Sequence, residues 1–91
     1  MSKSIDITLK GKLYKTGFRF YILEKGVSLG IKGYVKYLNK MDIFVHAEGP
    51  EAVLKEFAQW CEKGLLSCKV ESIDVSEAEF ENYTHFDIQQ N

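Results

Sequence analysis

The order of apolar patterns along the chain predicts an α+β fold. It is a ferredoxin-like αβ-sandwich of βαββαβ order, with two helices packed on one face of a mostly antiparallel four- to five-stranded sheet. Three observations predict it. Runs of period-two alternation are interrupted twice by runs of helical spacing. Turn residues separate these runs. At 91 residues the chain has room for one small core, and two helices of this length cover only one face of a sheet.

"SIDITLKGKL" alternates: Ile5, Ile7 and Leu9 point one way and Asp6, Thr8 and Lys10 the other, with Gly11 and Leu13 continuing the first face. "FRFYILEKGVSLG" places Ile22, Leu23, Val27 and Leu29 at roughly helical spacing. Gly26 weakens this helix by ~1 kcal/mol relative to alanine, and Gly30 supplies its C-terminal stop. "KGYVKYL" is a short strand and "NKMD" a turn. "IFVHAEG" is the next strand, with Ile43, Val45 and Ala47 on one face and Phe44, His46 and Glu48 on the other. The clearest helix is "PEAVLKEFAQWCEKG". Pro50 and Glu51 open it, Val53, Leu54, Phe57 and Trp60 form its apolar stripe, and Gly64 closes it. "KVESIDVSEAEF" supplies a strand centred on Ile73 and Val75, and "THFDIQQ" a short final one.

Residues 1–91 read as one domain. The net charge of -1 excludes an overall basic field for nucleic acid or anionic membrane, though not a local basic pocket. The N-terminus lacks a signal-peptide run, and no stretch nears the ~18 consecutive apolar residues of a membrane span. Cys61 and Cys68 match neither a redox nor a zinc spacing, and the expectation is a reduced, structural pair in a cytoplasmic protein.

"GKLYKTGFRF", residues 11–20, carries the functional signal. A turn containing Gly17 just before a helix exposes backbone N–H groups, which with the helix dipole favour an anion. Arg19 adds a planar fork suited to phosphate, Lys15 a further positive charge and Thr16 a hydroxyl donor. The plain alternative is a strand-to-helix turn with solvated Lys15 and Arg19. As a bare pattern, one glycine and one arginine do not decide between the two.

With its neighbours the motif is more specific. Gly11, Leu13, Gly17, Phe18 and Arg19, then "LGIKGYV" at 29–35 and "AEGPEAV" at 47–53, resemble the acylphosphatase family over nearly the whole length. The resemblance implies an αβ-sandwich hydrolase that cleaves the carboxyl–phosphate bond of small acyl phosphates, with no metal, cofactor or covalent intermediate. It also implies that backbone N–H groups of Lys15, Thr16, Gly17 and Phe18 wrap the phosphate while Arg19, the catalytic residue, holds its oxygens. A family asparagine at the end of the second strand would position the attacking water. The implied partner is a small acyl phosphate or inorganic phosphate, with no nucleic acid and no membrane, and the protein is expected to be a monomer.

The sequence departs from this pattern in two places. Tyr14 and Lys15 replace a glutamine–glycine pair, which matters if the second position needs a positive φ. Tyr37 stands where the asparagine belongs; Asn39 is two residues on, ~6.6 Å away along a straight strand and too far to take over without rearrangement. Three readings therefore stay open: a weakened acylphosphatase, a non-catalytic phosphate- or anion-binding module on the same scaffold, and a protein-interaction domain using exposed aromatics.

Other residues have plainer readings. His46 is expected half-exposed on its sheet, without a catalytic partner, and His85 is no stronger. Phe57 and Trp60 read as core, and the acidic run "SEAEFEN" as a solvated strand end or turn. Tyr34, Tyr37 and Phe44 could form one aromatic patch on the sheet, as in RNA-binding domains of this fold, but the expected RNA-recognition motif is absent.

Overall fold

A computed structural model describes residues 2–65 and 68–89. The elements follow the expected order: β1 (Ser2–Gly11), α1 (Phe18–Ser28), β2 (Lys32–Tyr37), β3 (Ile43–Pro50), α2 (Glu51–Lys63), β4 (Val70–Glu77) and β5 (Phe86–Ile88). Gln90, with which the expected last strand closes, lies outside the described residues.

The five strands form one sheet in the order β4-β1-β3-β2-β5. All neighbours are antiparallel except β2 and β5, which run parallel. The alternation in β1 and β3 sorts their side chains as the pleat requires. Ile7, Leu9, Val35, Ile43, Val45 and Ala47 are buried with Ile22 of α1 and Leu54 and Phe57 of α2, forming the core between sheet and helices. The opposite, open face carries a cross-strand row in which His46 is registered with Asp6 of β1 and Tyr34 of β2.

The buried stripe of α1 differs from the expected one. Phe18, Ile22 and Gly26, at i, i+4 and i+8, face the core, whereas Val27 is exposed. Gly26 explains the difference: a Cβ there would meet the Phe86 ring of β5 at 2.5 Å, so the glycine leaves room for that ring. Helix propensity is given up to seat an aromatic. Gly33 answers a different need, since a Cβ there would collide with the carbonyl of His46 on the paired strand, and its φ is +133°.

Both cysteines are free and buried. Burial pushes the Cys61 thiol up to about 12, so almost no thiolate forms at neutral pH. We expect Cys61 to resist alkylation by a maleimide in the native protein and to react on unfolding in denaturant. Rapid native labelling at Cys61 would show that α2 opens far more readily than its packing implies. No helix among the described residues is long and apolar enough to cross a membrane.

Candidate functional site

The chain between β1 and α1 is anchored at both ends by its own side chains. Leu13 is fully buried, and its N–H donates to the Met41 carbonyl at 3.0 Å. The Thr16 hydroxyl donates to the Leu13 carbonyl at 2.7 Å and accepts from the Phe18 N–H at 3.2 Å. Gly17 then starts the helix from a left-handed conformation, φ 83°. Gly17 has no side chain to cap this end and no acidic residue lies in the first turn, so apart from the Thr16 hydroxyl on the Phe18 N–H the positive end of the helix dipole has no compensating group of its own.

Lys15 also has a positive φ, 58°. The position does need the left-handed region, and a lysine occupies it at a cost that a glycine would avoid. The turn aims the Lys15 N–H at the hydroxyl of Tyr37, to which it donates at 2.9 Å. Tyr37 belongs to the helix-side row with Ile43 and Leu9 and packs on the core. Its ring lies 4.9 Å from that of Tyr14, and the Arg19 guanidinium sits 4.0 Å from its centroid. The Nε of Arg19 is buried and has no hydrogen-bond partner among the described residues. A buried donor left unmet costs ~1–3 kcal/mol, so this atom points to a ligand.

Lys15, Gly17 and Arg19 meet in one cavity of about 340 Å³, lined also by Tyr14, Phe20 and Tyr37. Thr16 and Phe18 do not line it: the Thr16 hydroxyl is spent within the loop, and the Phe18 ring is fully buried in the core. Asn39 is held in the β2–β3 turn. Its Oδ1 accepts from the N–H groups of Met41 and Asp42 at 2.7 and 2.8 Å, and its Nδ2 donates to Asp42 at 3.0 Å. It is not among the cavity's lining residues. A larger groove, about 530 Å³, lies between α2, β1 and β4. Its charges, Lys3, Lys55, Glu51 and Glu77, are mixed in sign and give no anion cradle.

The open face corrects the expectation for His46, which is 2% exposed rather than half-exposed. Its Nδ1 contacts Asp6 and its Nε2 contacts Glu48, each at 2.8 Å. Glu48 in turn accepts the N–H groups of Glu81 and Tyr83 at 2.6 and 2.9 Å. The acidic run keeps its carboxylates in solvent as expected, but its backbone is strapped across the sheet and covers the histidine. Burial alone lowers the pKa of His46. The hydrogen bonds to Glu48 and Asp6 overcome this and hold it above the usual histidine value. Burial likewise raises Glu48, but the Glu81 N–H, His46 and the Tyr83 N–H outweigh it and hold the carboxyl below its ordinary range.

Ser4 Oγ lies 3.3 Å from Nε2, which completes a serine–histidine–aspartate arrangement. It is not a nucleophile site. With a carboxylate on each ring nitrogen the imidazole is a double donor and cannot act as a base. The alternation in β1 and β3 holds the signal for this cluster, since it puts Asp6, His46 and Glu48 on one face. The strap that buries it leaves no such trace.

The expected aromatic patch is divided between the two faces. Tyr34 and Phe44 share the open face, ring centroids 6.1 Å apart, with Tyr83 beside Tyr34. Tyr37, an odd number of residues from Tyr34, falls on the helix side. His85 is exposed; its ring Nδ1 lies 3.0 Å from the Thr84 hydroxyl, and its backbone carbonyl accepts the Gly33 N–H at 2.8 Å.

Fold and site together define an αβ-sandwich with a cationic, left-handed turn between its first strand and first helix. The family model described as acylphosphatase matches residues 5–88. An acylphosphatase from Thermotoga maritima is 35% identical over 86 residues, covering 94% of this chain and 96% of that relative. One from Archaeoglobus fulgidus is 33% identical over 85 residues, covering 93% and 96%. The crystal structure of acylphosphatase from Bacillus subtilis matches with a TM-score of 0.91 at 27% identity, over 99% of this chain and 100% of that one. The chain belongs to the acylphosphatase family.

Proposed function

We propose that the protein hydrolyses the carboxyl–phosphate bond of small acyl phosphates to a carboxylate and inorganic phosphate, and that it does so weakly. Arg19 carries the reading: its guanidinium stands beside a left-handed turn at a helix N-terminus, with an unmet, buried Nε. Arg19 and the Lys15–Gly17 turn hold the phosphate oxygens, while Thr16 and Phe18 fix the loop. Water attacks phosphorus, the bond from phosphorus to the acyl oxygen breaks, and its electron pair leaves on the carboxylate. The proton lost by the water passes to a phosphate oxygen. A carboxylate leaves readily, so positioning and charge stabilisation carry the step without a strong general acid. This reading calls on no metal or cofactor. It takes residues 1–91 as one acylphosphatase-like domain, a cytoplasmic monomer with no nucleic-acid or membrane partner, in keeping with a net charge of -1.

A second reading, a non-catalytic anion-binding module, is favoured by one observation. The Tyr37 hydroxyl occupies the Lys15 N–H, and among the described residues no carboxamide lines the cavity. Titration with phosphate followed by a turnover assay with acetyl phosphate separates the two: turnover supports the enzyme, and binding without turnover supports the module. Arg19→Ala should weaken phosphate binding by ~1.5–3 kcal/mol, the range for hydrogen bonds to charged groups. Unchanged affinity in a folded Arg19→Ala protein would remove the site from this loop.

A further inference from the structure

The two edges of the sheet are not alike. β5 is three residues long, which blunts its edge. β4 runs for eight residues, contains no proline or lysine, and has no strand on its outer side among the described residues. Every second residue of β4 therefore turns an N–H and a C=O outward, a template for a further strand. The two faces beside this edge also differ. Ile73, Val75 and Glu77 pair with Leu9, Ile7 and Ile5 and lie on the helix side, while Ser72, Asp74 and Ser76 lie on the open side. On the helix side α2 does not reach over the edge. Val75 is 50% exposed and lines the groove of about 530 Å³ together with Leu54 and Ala58 of α2 and Phe80, itself 51% exposed. The cations of that groove stand on its other walls: Lys55 on α2, and Lys3 on β1, 3.9 Å from Glu51.

We infer that β4 takes up an extended segment of another protein as a sixth strand, one in which apolar and basic residues alternate. The backbone of the segment pairs with the β4 edge, and pockets for alternate side chains give the contact its specificity. Its apolar side chains reach the groove beside Val75, and its basic side chains stand on the open side beside Asp74. Charge selects this occupant. From residue 70 to 81 there are five carboxylates, Glu71, Asp74, Glu77, Glu79 and Glu81, and no lysine or arginine. A second copy of this chain on the same edge would set those carboxylates against their own kind, which is destabilising. A basic segment reverses the sign of each such pair. The sidedness follows from Lys3 and Lys55, which make the groove unfavourable to further cations. On the open side, Asp74 is flanked by Ser72 and Ser76 and registered with Thr8 of β1. Neither Lys15 nor Arg19 takes part, so the contact is independent of the proposed hydrolysis.

The test is fluorescence anisotropy of the full chain with labelled, end-capped peptides as long as β4. One alternates lysine and valine, a second glutamate and valine, and a third lysine and serine. The lysine–valine peptide should bind about 10-fold more tightly than either of the others, the sum of several cross-strand pairs gained or lost. Asp74→Lys should weaken its binding roughly 5-fold, and Val75→Ser by a similar factor. Both side chains are exposed, and circular dichroism reports that each variant is folded. Backbone methylation separates strand addition from simple charge attraction. Only alternate N–H groups of an added strand face β4. Methylating the lysine nitrogens in one peptide and the valine nitrogens in another should therefore abolish binding of one and spare the other. Loss in both, or in neither, would overturn strand addition. Binding of the lysine–valine peptide no tighter than that of either control, no binding of any peptide, or wild-type affinity in both variants would overturn the inference. A wild-type dimer in sedimentation that Val75→Ser dissociates would give the edge to a second copy of the chain, and overturn it as well.

Discussion

Turnover of acetyl phosphate is expected to rise about 10²-fold when Tyr37 is replaced by asparagine, the factor that a misplacement of ~1 Å can cost. In the wild type the phenol hydroxyl lies on the Lys15 N–H at 2.9 Å, and its ring fills the floor under Arg19. Among the described residues no carboxamide lines the cavity to orient a water for attack on phosphorus, and Asn39 is bound into its own turn. An asparagine at 37 offers one acceptor and two donors at short reach and vacates the volume of the ring. Tyr37→Phe separates the two effects. It frees the Lys15 N–H but keeps the ring, so phosphate should bind more tightly by about 1 kcal/mol with no comparable gain in rate. The explanation fails if Tyr37→Asn folds, binds phosphate and turns over no faster than the wild type.

The second large effect is on stability. Truncating Glu48 to alanine should cost ~3–5 kcal/mol, since it leaves the protonated His46 buried with one carboxylate fewer. It also strands the N–H groups of Glu81 and Tyr83. Urea unfolding measures this directly, and a loss under ~1 kcal/mol would show that the strap does not depend on this carboxylate. The pH dependence has a definite sign. The raised pKa of His46 gives stability that is complete below ~6.5, its unfolded value, and is lost as pH rises through the folded pKa. The lowered pKa of Glu48 gives stability that is complete above ~4.3 and is lost as pH falls through the folded pKa. The stability difference between wild type and Glu48→Ala should therefore be greatest between about pH 4.5 and 6.5 and smaller on either side.

Most of the architecture could be read from local pattern. Period-two alternation identified β1 and β3, and the Pro50–Gly64 frame identified α2, because one face of each meets the core and the other does not. Where a distant partner decided the outcome, the pattern misled. Val27 was expected inward, but the Phe86 ring on Gly26 turns the stripe of α1. His46 looked half-exposed because nothing in "IFVHAEG" records a strap arriving more than thirty residues later in the chain. At the site, the meeting of Lys15, Gly17 and Arg19 followed from their closeness in sequence. The contact between Tyr37 and Lys15 did not, since it needs both the sheet register and a positive φ at a residue that rarely adopts one. The identity of Tyr37 was legible as a departure, while its hydroxyl's place on the loop amide was not.

The position of β1 in the sheet bears on how the chain acquires its fold during synthesis. β1 is made before both of the strands that flank it: its two edges are closed by β3, more than thirty residues later, and by β4, which begins at Val70. Until that last segment has left the ribosome, the strand that carries the phosphate loop has an open edge, and Leu9 lacks its partner Ile73. Pairings so distant in sequence pay loop-closure entropy before they return any contact energy. The nascent protein must therefore hold an apolar, half-paired strand until β4 is available, a condition in which chaperone protection matters.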